Sequence, residues 1–263
     1  MNEAVNADSE NPSQQQLSSL LEHYQSGRLN EAEKLALSIT NEFPKHQFAW
    51  KVLGAVLKQT GRLIDSLTAM QKSVDLMPQD ADAHSNLGAT LKELGRLEEA
   101  KASCNQAIAL KPDLAEAHSN LGNTLQRLGR LDEAEASYTK AIALKRDYAE
   151  VYYNLGIMLK ELGRLEEAQA SHNQAIALKP DLAEAHYDLG NTLKELGRLD
   201  EAEASYHKAL ACKPEYSSVK HMLAALSGET TTTAPRDYVE ELFDGYAAKF
   251  ESSLVDNLEY KIP

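Results

Sequence analysis

The chain has 263 residues, enough for one large or two ordinary domains, and carries a net charge of -13, which gives nucleic-acid binding no electrostatic support. Two cysteines 108 residues apart argue against a disulfide framework, and no apolar run reaches the ~18–20 residues of a membrane span. Since the polar N-terminus also lacks the pattern of a signal peptide, these features predict a soluble protein of the cytoplasm.

A repeat period of 34 residues follows a polar stretch, residues 1–12, which we expect to be a disordered leader. The segments 115–148 and 183–216 are identical at 25 of 34 positions. A fixed period of this size is typical of repeat solenoids. Six units follow one another without a gap: 13–46, 47–80, 81–114, 115–148, 149–182 and 183–216.

Each unit predicts two helices joined at a glycine. In residues 115–148, Leu121 and Leu125 lie on one helical face, Gly129 ends that helix, and Ala134 and Tyr138 lie on one face of a second helix. The same glycine recurs in all six units, as Gly27, Gly61, Gly95, Gly129, Gly163 and Gly197. The first helices of three units are expected to start with a capping box, at Asp113/Glu116, Asp147/Glu150 and Asp181/Glu184.

A second glycine falls in the middle of five first helices, where it costs about 1 kcal/mol relative to alanine. A small residue of the second helix, such as Ala100 or Ala134, is expected to face it, so that the two backbones approach closely. The glycines are Gly54, Gly88, Gly122, Gly156 and Gly190.

The motif Trp50-x-x-Leu53-Gly54, followed by the turn glycine, an Ala-x3-Tyr pair such as Ala134 and Tyr138, and a proline, resembles the tetratricopeptide repeat over residues 13–216. The resemblance implies an all-α, right-handed superhelical solenoid of six helix-turn-helix repeats. Residues 217–226 begin a seventh unit and are expected to form a capping helix.

Residues 227–235 have the composition of a linker, and the repeat is absent from residues 236–263. This last segment resembles the lead-in of a methyltransferase domain that follows tetratricopeptide repeats in some bacterial proteins. The residues that carry the resemblance are Phe243, Asp244, Tyr246, Ala247, Phe250, Leu258, Tyr260 and Pro263. We therefore expect the start of an incomplete C-terminal domain, with S-adenosylmethionine as cofactor only if a methyltransferase domain follows.

No catalytic, cofactor or metal site is predicted in the chain itself. It has no glycine-rich phosphate loop, because 11 of its 13 glycines belong to the repeat. His84, His118 and His186 occupy one repeat position that Trp50 also occupies, so we expect them to pack between helices rather than to bind metal. His172 and Cys104 are likewise expected to replace aromatic packing residues.

The candidate binding site is a row of amide side chains on the first helices, which line the concave surface in this family. Asn86, Asn120 and Asn154 recur every 34 residues, and Asp188 takes the fourth place. An amide both donates and accepts, so such a row can hold an extended peptide backbone. A similar ladder occurs in the repeat domain of O-linked N-acetylglucosamine transferases. Asn123 and Asn191 are expected on the same wall, and ordinary consensus usage of asparagine remains the alternative.

The sequence therefore predicts a scaffold that binds a protein or an extended peptide. Acidic residues in register along the groove either favour a basic or neutral partner or serve only as helix-start residues: Asp82, Glu116, Glu150 and Glu184. Lys51 and Asn86 fit the clamp that holds chaperone C-terminal tails in this family, but Ala55, Glu116 and Asn120 do not, so such a tail is not expected. The alternative is the recruiting part of a methyltransferase, or of a glycosyltransferase, whose catalytic domain lies beyond Pro263.

Overall fold

The structure is a computed structural model and describes residues 11–228 and Val239. The first ten residues of the predicted leader, most of the linker and the segment 236–263 other than Val239 lie outside the described residues. The described part contains thirteen α-helices and no strand, so the prediction of an all-α fold is confirmed. The helices are α1 Gln14–Gln25, α2 Leu29–Glu42, α3 Gln47–Gln59, α4 Leu63–Leu76, α5 Ala81–Glu93, α6 Leu97–Leu110, α7 Ala115–Arg127, α8 Leu131–Leu144, α9 Ala149–Glu161, α10 Leu165–Leu178, α11 Ala183–Glu195, α12 Leu199–Cys212 and α13 Ser217–Leu226.

The helices pack as consecutive pairs, α1 with α2 through α11 with α12, and α13 packs on α12. The chain divides into two compact units, Met1–Arg146, which contains α1–α8, and Asp147–Pro263, which contains α9–α13. We call them the N-terminal unit and the C-terminal unit. None of the helices in the described ranges is long and apolar enough to span a membrane.

The first helices of successive pairs also contact one another within each unit. In the N-terminal unit α1 contacts α3, α3 contacts α5 and α5 contacts α7, and in the C-terminal unit α9 contacts α11. The second helices make no comparable contacts with one another in the described part of the chain. The first helices therefore form the more closely packed side, which we call the inner face, and the second helices form the outer face.

The glycine that ends each first helix adopts a left-handed backbone conformation, as the sequence predicts. The φ angles of the six turn glycines lie between 71° and 76°, which a side chain with a Cβ disfavours. The arginine after each of these glycines is the N-cap of the next helix. Arg130, for example, donates two hydrogen bonds to Glu133, at 2.6 and 2.7 Å, and so holds the turn against the first turn of α8.

The mid-helix glycines make room for the side chain one helical turn beyond the small second-helix residue, in addition to the small residue that the sequence predicts there; Gly88, for example, faces the Ala100 backbone and the Cys104 side chain. A Cβ on Gly122 would lie 2.7 Å from the ring of Tyr138, and one on Gly190 would lie 2.5 Å from the ring of Tyr206. The side chains that occupy this space in the five pairs are Met70, Cys104, Tyr138, His172 and Tyr206. Each comes four residues after the small second-helix residue, one helical turn further along the same face.

The predicted capping boxes on α7, α9 and α11 were wrong. The N-cap residues of these helices are Leu114, Tyr148 and Leu182, and none of them makes a side-chain capping bond. The aspartates Asp113, Asp147 and Asp181 come one residue too early to cap the helix. In α5 the register differs: Asp80 is the N-cap and accepts a hydrogen bond from the Ala83 amide at 3.0 Å.

Candidate functional site

Two of the predicted asparagines of the N-terminal unit keep part of their hydrogen-bonding capacity unused. Asn120 on α7 donates from Nδ2 to Ser85 Oγ at 3.0 Å and to the Ser85 carbonyl at 3.4 Å, and its amide oxygen has no partner among the described residues. Asn86 on α5 makes no side-chain hydrogen bond with the described residues. It lines an inner-face pocket of about 200 Å³ together with Tyr24, Lys58 and Gln59.

Asn123 and Asn191, predicted on the same wall as the row of asparagines, are each held in place by a hydrogen bond from a tyrosine buried in the core. The Tyr138 hydroxyl donates to Asn123 Oδ1 at 2.7 Å, and the Tyr206 hydroxyl donates to Asn191 Oδ1 at 2.8 Å. Both rings are fully buried at the glycine contact. The core therefore sets the amide orientation, and in Asn191 the Nδ2 group is left as a donor toward the inner face.

The C-terminal unit holds the larger inner-face pocket, of about 520 Å³. Its wall combines three tyrosines, two lysines and three carboxylates, and it includes the predicted site residues Asp188 and Asn191. The lining residues are Tyr153, Lys160, Glu184, Tyr187, Asp188, Asn191, Lys194, Glu195, Tyr216 and Met222. Asn154, the other predicted residue of this unit, lies half-buried on α9.

Asp188 is held between two neighbours on α9. It accepts a hydrogen bond from the Tyr153 hydroxyl at 2.9 Å, and Lys160 Nζ lies 3.6 Å from its other oxygen. Burial, and then the negative charge of Asp188, raise the pKa of the Tyr153 phenol, so Tyr153 remains a hydrogen-bond donor at neutral pH. The carboxylate of Asp188 is therefore a fixed acceptor at the centre of the pocket.

The pocket also holds a lysine with no ion pair. Lys194 is half-buried on α11, and no carboxylate of the described residues lies within 4.0 Å of its Nζ. Burial lowers the pKa of Lys194; the charge of Glu195 opposes this effect in part, and the charge of Lys160 adds to it. A partly desolvated ammonium group without a paired counter-charge favours an anionic ligand atom.

The histidines of the first helices tie the repeat to the loop before it, a role that goes beyond the predicted packing. His84, His118 and His186 each place Nε2 3.0 Å from the carbonyl oxygen of the proline six residues earlier. Trp50 Nε1 makes the equivalent bond to the Pro44 carbonyl at 2.9 Å. In the part of the chain that the structure describes, no group of three or more His, Cys, Asp or Glu side chains could hold a metal ion.

His172 and Cys104 are buried in the helix–helix contact, where the sequence places packing residues. His172 is fully buried beside Gly156, and neither of its ring nitrogens has a hydrogen-bond partner among the described residues. Burial lowers the pKa of His172 to about 4, so the ring is neutral at pH 7. Burial raises the pKa of the Cys104 thiol to about 12, which leaves it protonated and unsuited to nucleophilic attack.

A larger groove, of about 770 Å³, lies on the outer face of the N-terminal unit between α4 and α6. Its floor includes Trp50, Leu87 and Leu91, and its rim carries exposed charged side chains such as Lys72 and Glu99. None of the predicted site residues lines it. We therefore take the inner-face pockets as the candidate site, because they contain Asn86, the oriented amide of Asn191 and the carboxylate of Asp188.

The sequence analysis missed the tyrosines and lysines of the C-terminal pocket. Tyr153 and Tyr187 stand at the repeat position where Ser85 and Ser119 stand in the earlier units. The sequence does indicate this difference, because aromatic residues replace small polar ones at this repeat position. Lys160 and Lys194 recur at 34-residue spacing, but lysines are common on protein surfaces, so the spacing alone does not indicate a site.

A comparison with protein families matches the tetratricopeptide repeat over residues 79–147, 113–181 and 147–215. Together these matches span residues 79–215, or 137 of the 263 residues. A sequence comparison with curated proteins finds no match.

Solved structures of repeat proteins resemble the chain over most of their length. TTC0263, a thermophilic TPR protein of Thermus thermophilus, is 27% identical with a TM-score of 0.60, covering 68% of this chain and 98% of its own. MamA is 26% identical with a TM-score of 0.54, covering 62% of this chain and 95% of its own. YrrB, a TPR protein with an unusual peptide-binding site, is 20% identical with a TM-score of 0.53, covering 71% of this chain and 96% of its own.

Proposed function

Since the chain belongs to the tetratricopeptide repeat family, we propose that it is a protein-interaction scaffold that binds an extended peptide along its inner faces. The observation that carries this proposal is the C-terminal pocket of about 520 Å³, in which Asp188 and Asn191 are already oriented by tyrosine hydroxyls. Preorganised polar groups spare a ligand the cost of ordering them. A repeat protein also presents such groups at regular intervals along an extended surface.

The hydrogen-bonding capacity of the row suits a peptide backbone. Asn191 offers an Nδ2 donor, Asn120 offers an amide oxygen, and Asn86 offers both. A backbone presents carbonyl acceptors and amide donors in alternation, so this set can bind main chain without reading side chains. Asn123 and Asn154 belong to the same proposed set. YrrB shares the fold, and its peptide-binding site gives a precedent for a ligand of this kind on such repeats.

The expected basic or neutral partner has weaker support from the row of acids. Glu116 lies 3.8 Å from Lys145, and Glu184 lies 3.5 Å from Lys213, so two of the four carboxylates have a counter-charge. Lys51, which the chaperone-tail clamp would need, pairs with Asp80 at 2.7 Å and also lies away from the lining of both inner-face pockets. The charge of the partner stays a prediction.

The alternative that the chain recruits substrates for a methyltransferase depends on residues 236–263, which lie outside the described residues except for Val239. Neither the comparisons nor the described helices support it. It remains an interpretation of the sequence alone, and so do the glycosyltransferase version, the S-adenosylmethionine cofactor and the cytoplasmic location.

The test is selection of random peptides of about twelve residues, displayed on phage, against the full chain. We expect peptides that bind, and we expect Asn191→Ala to weaken their binding about tenfold, because an oriented donor is lost. Lys208→Ala on the outer helix α12, where Lys208 is exposed, is the matched control and should leave binding unchanged. Recovery of no peptide, or equal losses in both variants, would contradict the proposal.

A further inference from the structure

Four lysines occupy one repeat position near the ends of first helices. Lys58 and Lys92 belong to the N-terminal unit, and Lys160 and Lys194 belong to the C-terminal unit. All four are half-buried, although most lysines of the chain are exposed. Within each unit the two lysines come from neighbouring first helices that contact each other, α3 with α5 and α9 with α11.

Each unit combines one lysine that has a carboxylate partner with one that has none. Lys92 lies 3.1 Å from Glu93, and Lys160 lies 3.6 Å from Asp188. No described carboxylate lies within 4.0 Å of Lys58 or Lys194. Burial lowers the pKa of Lys58 and of Lys194. The partnered lysine of the same unit adds to this effect, and the charge of Glu93 at Lys58 and of Glu195 at Lys194 opposes it in part. Lys160 and Lys194 line the same pocket, and Lys58 and Lys92 lie on contacting helices, so an anion near both lysines of a unit is stabilised by two partly desolvated ammonium groups.

We propose that the lysine pairs Lys58–Lys92 and Lys160–Lys194 each bind a side-chain carboxylate of an acidic peptide that lies along the inner face. This inference rests on the proposed peptide-binding function, and it replaces the expected basic or neutral partner with an acidic one. Lys58 faces the pocket that Asn86 lines, and Lys194 faces the pocket that Asn191 lines. A peptide backbone held by the amides would therefore bring its side chains within reach of the lysines.

The net charge of -13 does not prevent this binding. Repulsion from distant carboxylates is screened beyond the Debye length, about 8 Å at physiological salt. The carboxylates whose charge opposes the lowered pKa of Lys58 and Lys194 are Glu93 and Glu195, which are exposed and follow the lysine of their helix directly in sequence. Hydrated carboxylates of this kind counter a half-buried charge less well than a ligand carboxylate inside the pocket.

The experiment compares fluorescein-labelled peptides of equal length by fluorescence anisotropy on the full chain. One peptide repeats Gly-Ser-Glu and has an amidated C-terminus, a second repeats Gly-Ser-Gln with the same amide, and a third is the glutamine peptide with a free C-terminal carboxylate. We expect the glutamate peptide to bind about tenfold tighter than the amidated glutamine peptide, with the advantage falling as salt rises. If only the third peptide bound more tightly, the lysines would bind the C-terminal carboxylate of a peptide, and the proposal that they bind side-chain carboxylates would be overturned.

Lys58→Gln and Lys194→Gln should each reduce the advantage of the glutamate peptide over the amidated glutamine peptide. Lys140→Gln and Lys208→Gln, on the exposed outer helices α8 and α12, are controls for charge and should leave that advantage unchanged. Equal binding of both amidated peptides, or equal effects of inner and outer variants, would overturn the inference while peptide binding itself stands.

Failure of all three peptides to bind would count against the proposed peptide-binding function, and the role of the lysines would then need a separate test. In that case the chain, labelled at its lysine side chains with ¹³C, is titrated with glutarate and followed by NMR. Shifts confined to the Lys58 and Lys194 side chains would support the carboxylate sites, and shifts equal to those of Lys140 and Lys208 would overturn them.

Discussion

The inner faces of the two units use the same repeat positions with different chemistry. In the N-terminal unit, Asn120 donates to Ser85, the residue 35 positions earlier. In the C-terminal unit the same relation joins Asp188 to Tyr153, and the direction of donation is reversed because the tyrosine donates to the carboxylate. The neutral pair Asn120 and Ser85 in the N-terminal unit thus corresponds to the carboxylate and phenol pair Asp188 and Tyr153 in the C-terminal unit.

The residue buried beneath the inner face also differs from one repeat to another. Below the N-terminal face Tyr138 fixes Asn123, whereas below Tyr153 the fully buried side chain is His172, with ring centroids 6.0 Å apart. The position equivalent to Asn123 is Ile157 in that repeat, so it offers no side-chain acceptor. The difference teaches that near-identical repeats share their helix packing, while the second-helix core residue decides which polar groups the inner face presents.

The largest effect is expected from emptying the core beneath Asn191. Tyr206→Ala removes a fully buried ring, and it should lower the free energy of unfolding by about 3–5 kcal/mol. Tyr206→Phe keeps the ring and removes the hydroxyl that donates to Asn191, so about 1 kcal/mol is expected. Urea unfolding of both variants measures this. If the two losses were equal, the hydroxyl rather than the ring would hold the site.

The second effect is a loss of stability in acid that comes from His172. Above pH 6.5 the ring is neutral in both the folded and the unfolded chain; between pH 6.5 and about 4 only the unfolded chain takes up the proton. The free energy of unfolding therefore falls as the pH falls through this window, by about 3 kcal/mol in all.

His172→Phe isolates this contribution from that of the carboxylates, which titrate in both proteins. Urea unfolding at pH 7 and at about pH 4.5 should show a smaller loss in the variant than in the native chain. Tyr138→Phe, in the N-terminal unit, is the control and should keep the native pH dependence. A loss in His172→Phe as large as the native one would show that His172 is not the acid-sensitive group.

The third effect compares a rigid with a flexible neighbour of the mid-helix glycine. A Cβ on Gly190 would lie 2.5 Å from the Tyr206 ring, whereas a Cβ on Gly54 would lie 2.8 Å from the Met70 side chain. A ring cannot bend away, so Gly190→Ala should cost about 1–3 kcal/mol. Gly54→Ala should cost less than about 1 kcal/mol, because methionine can change rotamer and alanine favours the helix. Thermal unfolding of the two variants decides whether their order is as expected.

The smallest effect tests the hydrogen bonds on the two faces directly. Tyr153→Phe removes the donor to Asp188 and should cost about 1 kcal/mol, because the carboxylate is only partly exposed. Ser85→Ala removes a neutral partner of Asn120 and should cost about half as much. If Ser85→Ala lowered the urea midpoint more than Tyr153→Phe, the hydrogen bond to Asp188 would not be the stronger of the two contacts.

Most of the fold follows from the sequence because the repeat imposes it six times. The turn glycine before Arg130 and the mid-helix glycine beside Tyr138 each recur, and their backbone angles and contacts agree with the predicted paired helices. The helix starts could not be predicted as well. Asp113 has the residue type and spacing of a cap, but the loop places Leu114 at that point, and only the backbone geometry distinguishes the two.

The row of asparagines predicted where the candidate site lies. It did not predict the tyrosines and lysines that determine the chemistry of the C-terminal pocket. Tyr206 and Asn191 are 15 residues apart in sequence, on neighbouring helices. Their contact depends on how those two helices pack, which periodicity does not specify. That Lys194 has no paired carboxylate depends on the positions of all neighbouring acids. Whether a polar group is already satisfied is a property of three-dimensional packing, so a sequence pattern can place it on a face without showing what it is free to bind.

Photo-crosslinking from defined positions tests most directly the claim that the inner face binds the peptide. Benzoylphenylalanine replaces either Glu195, which lines the C-terminal pocket, or Lys208, which is exposed on the outer helix α12. Each variant is irradiated with the tightest peptide from the phage selection. The account predicts a crosslinked product from position 195 and none from position 208. A product from position 208 alone would place the ligand on the outer face and contradict the account.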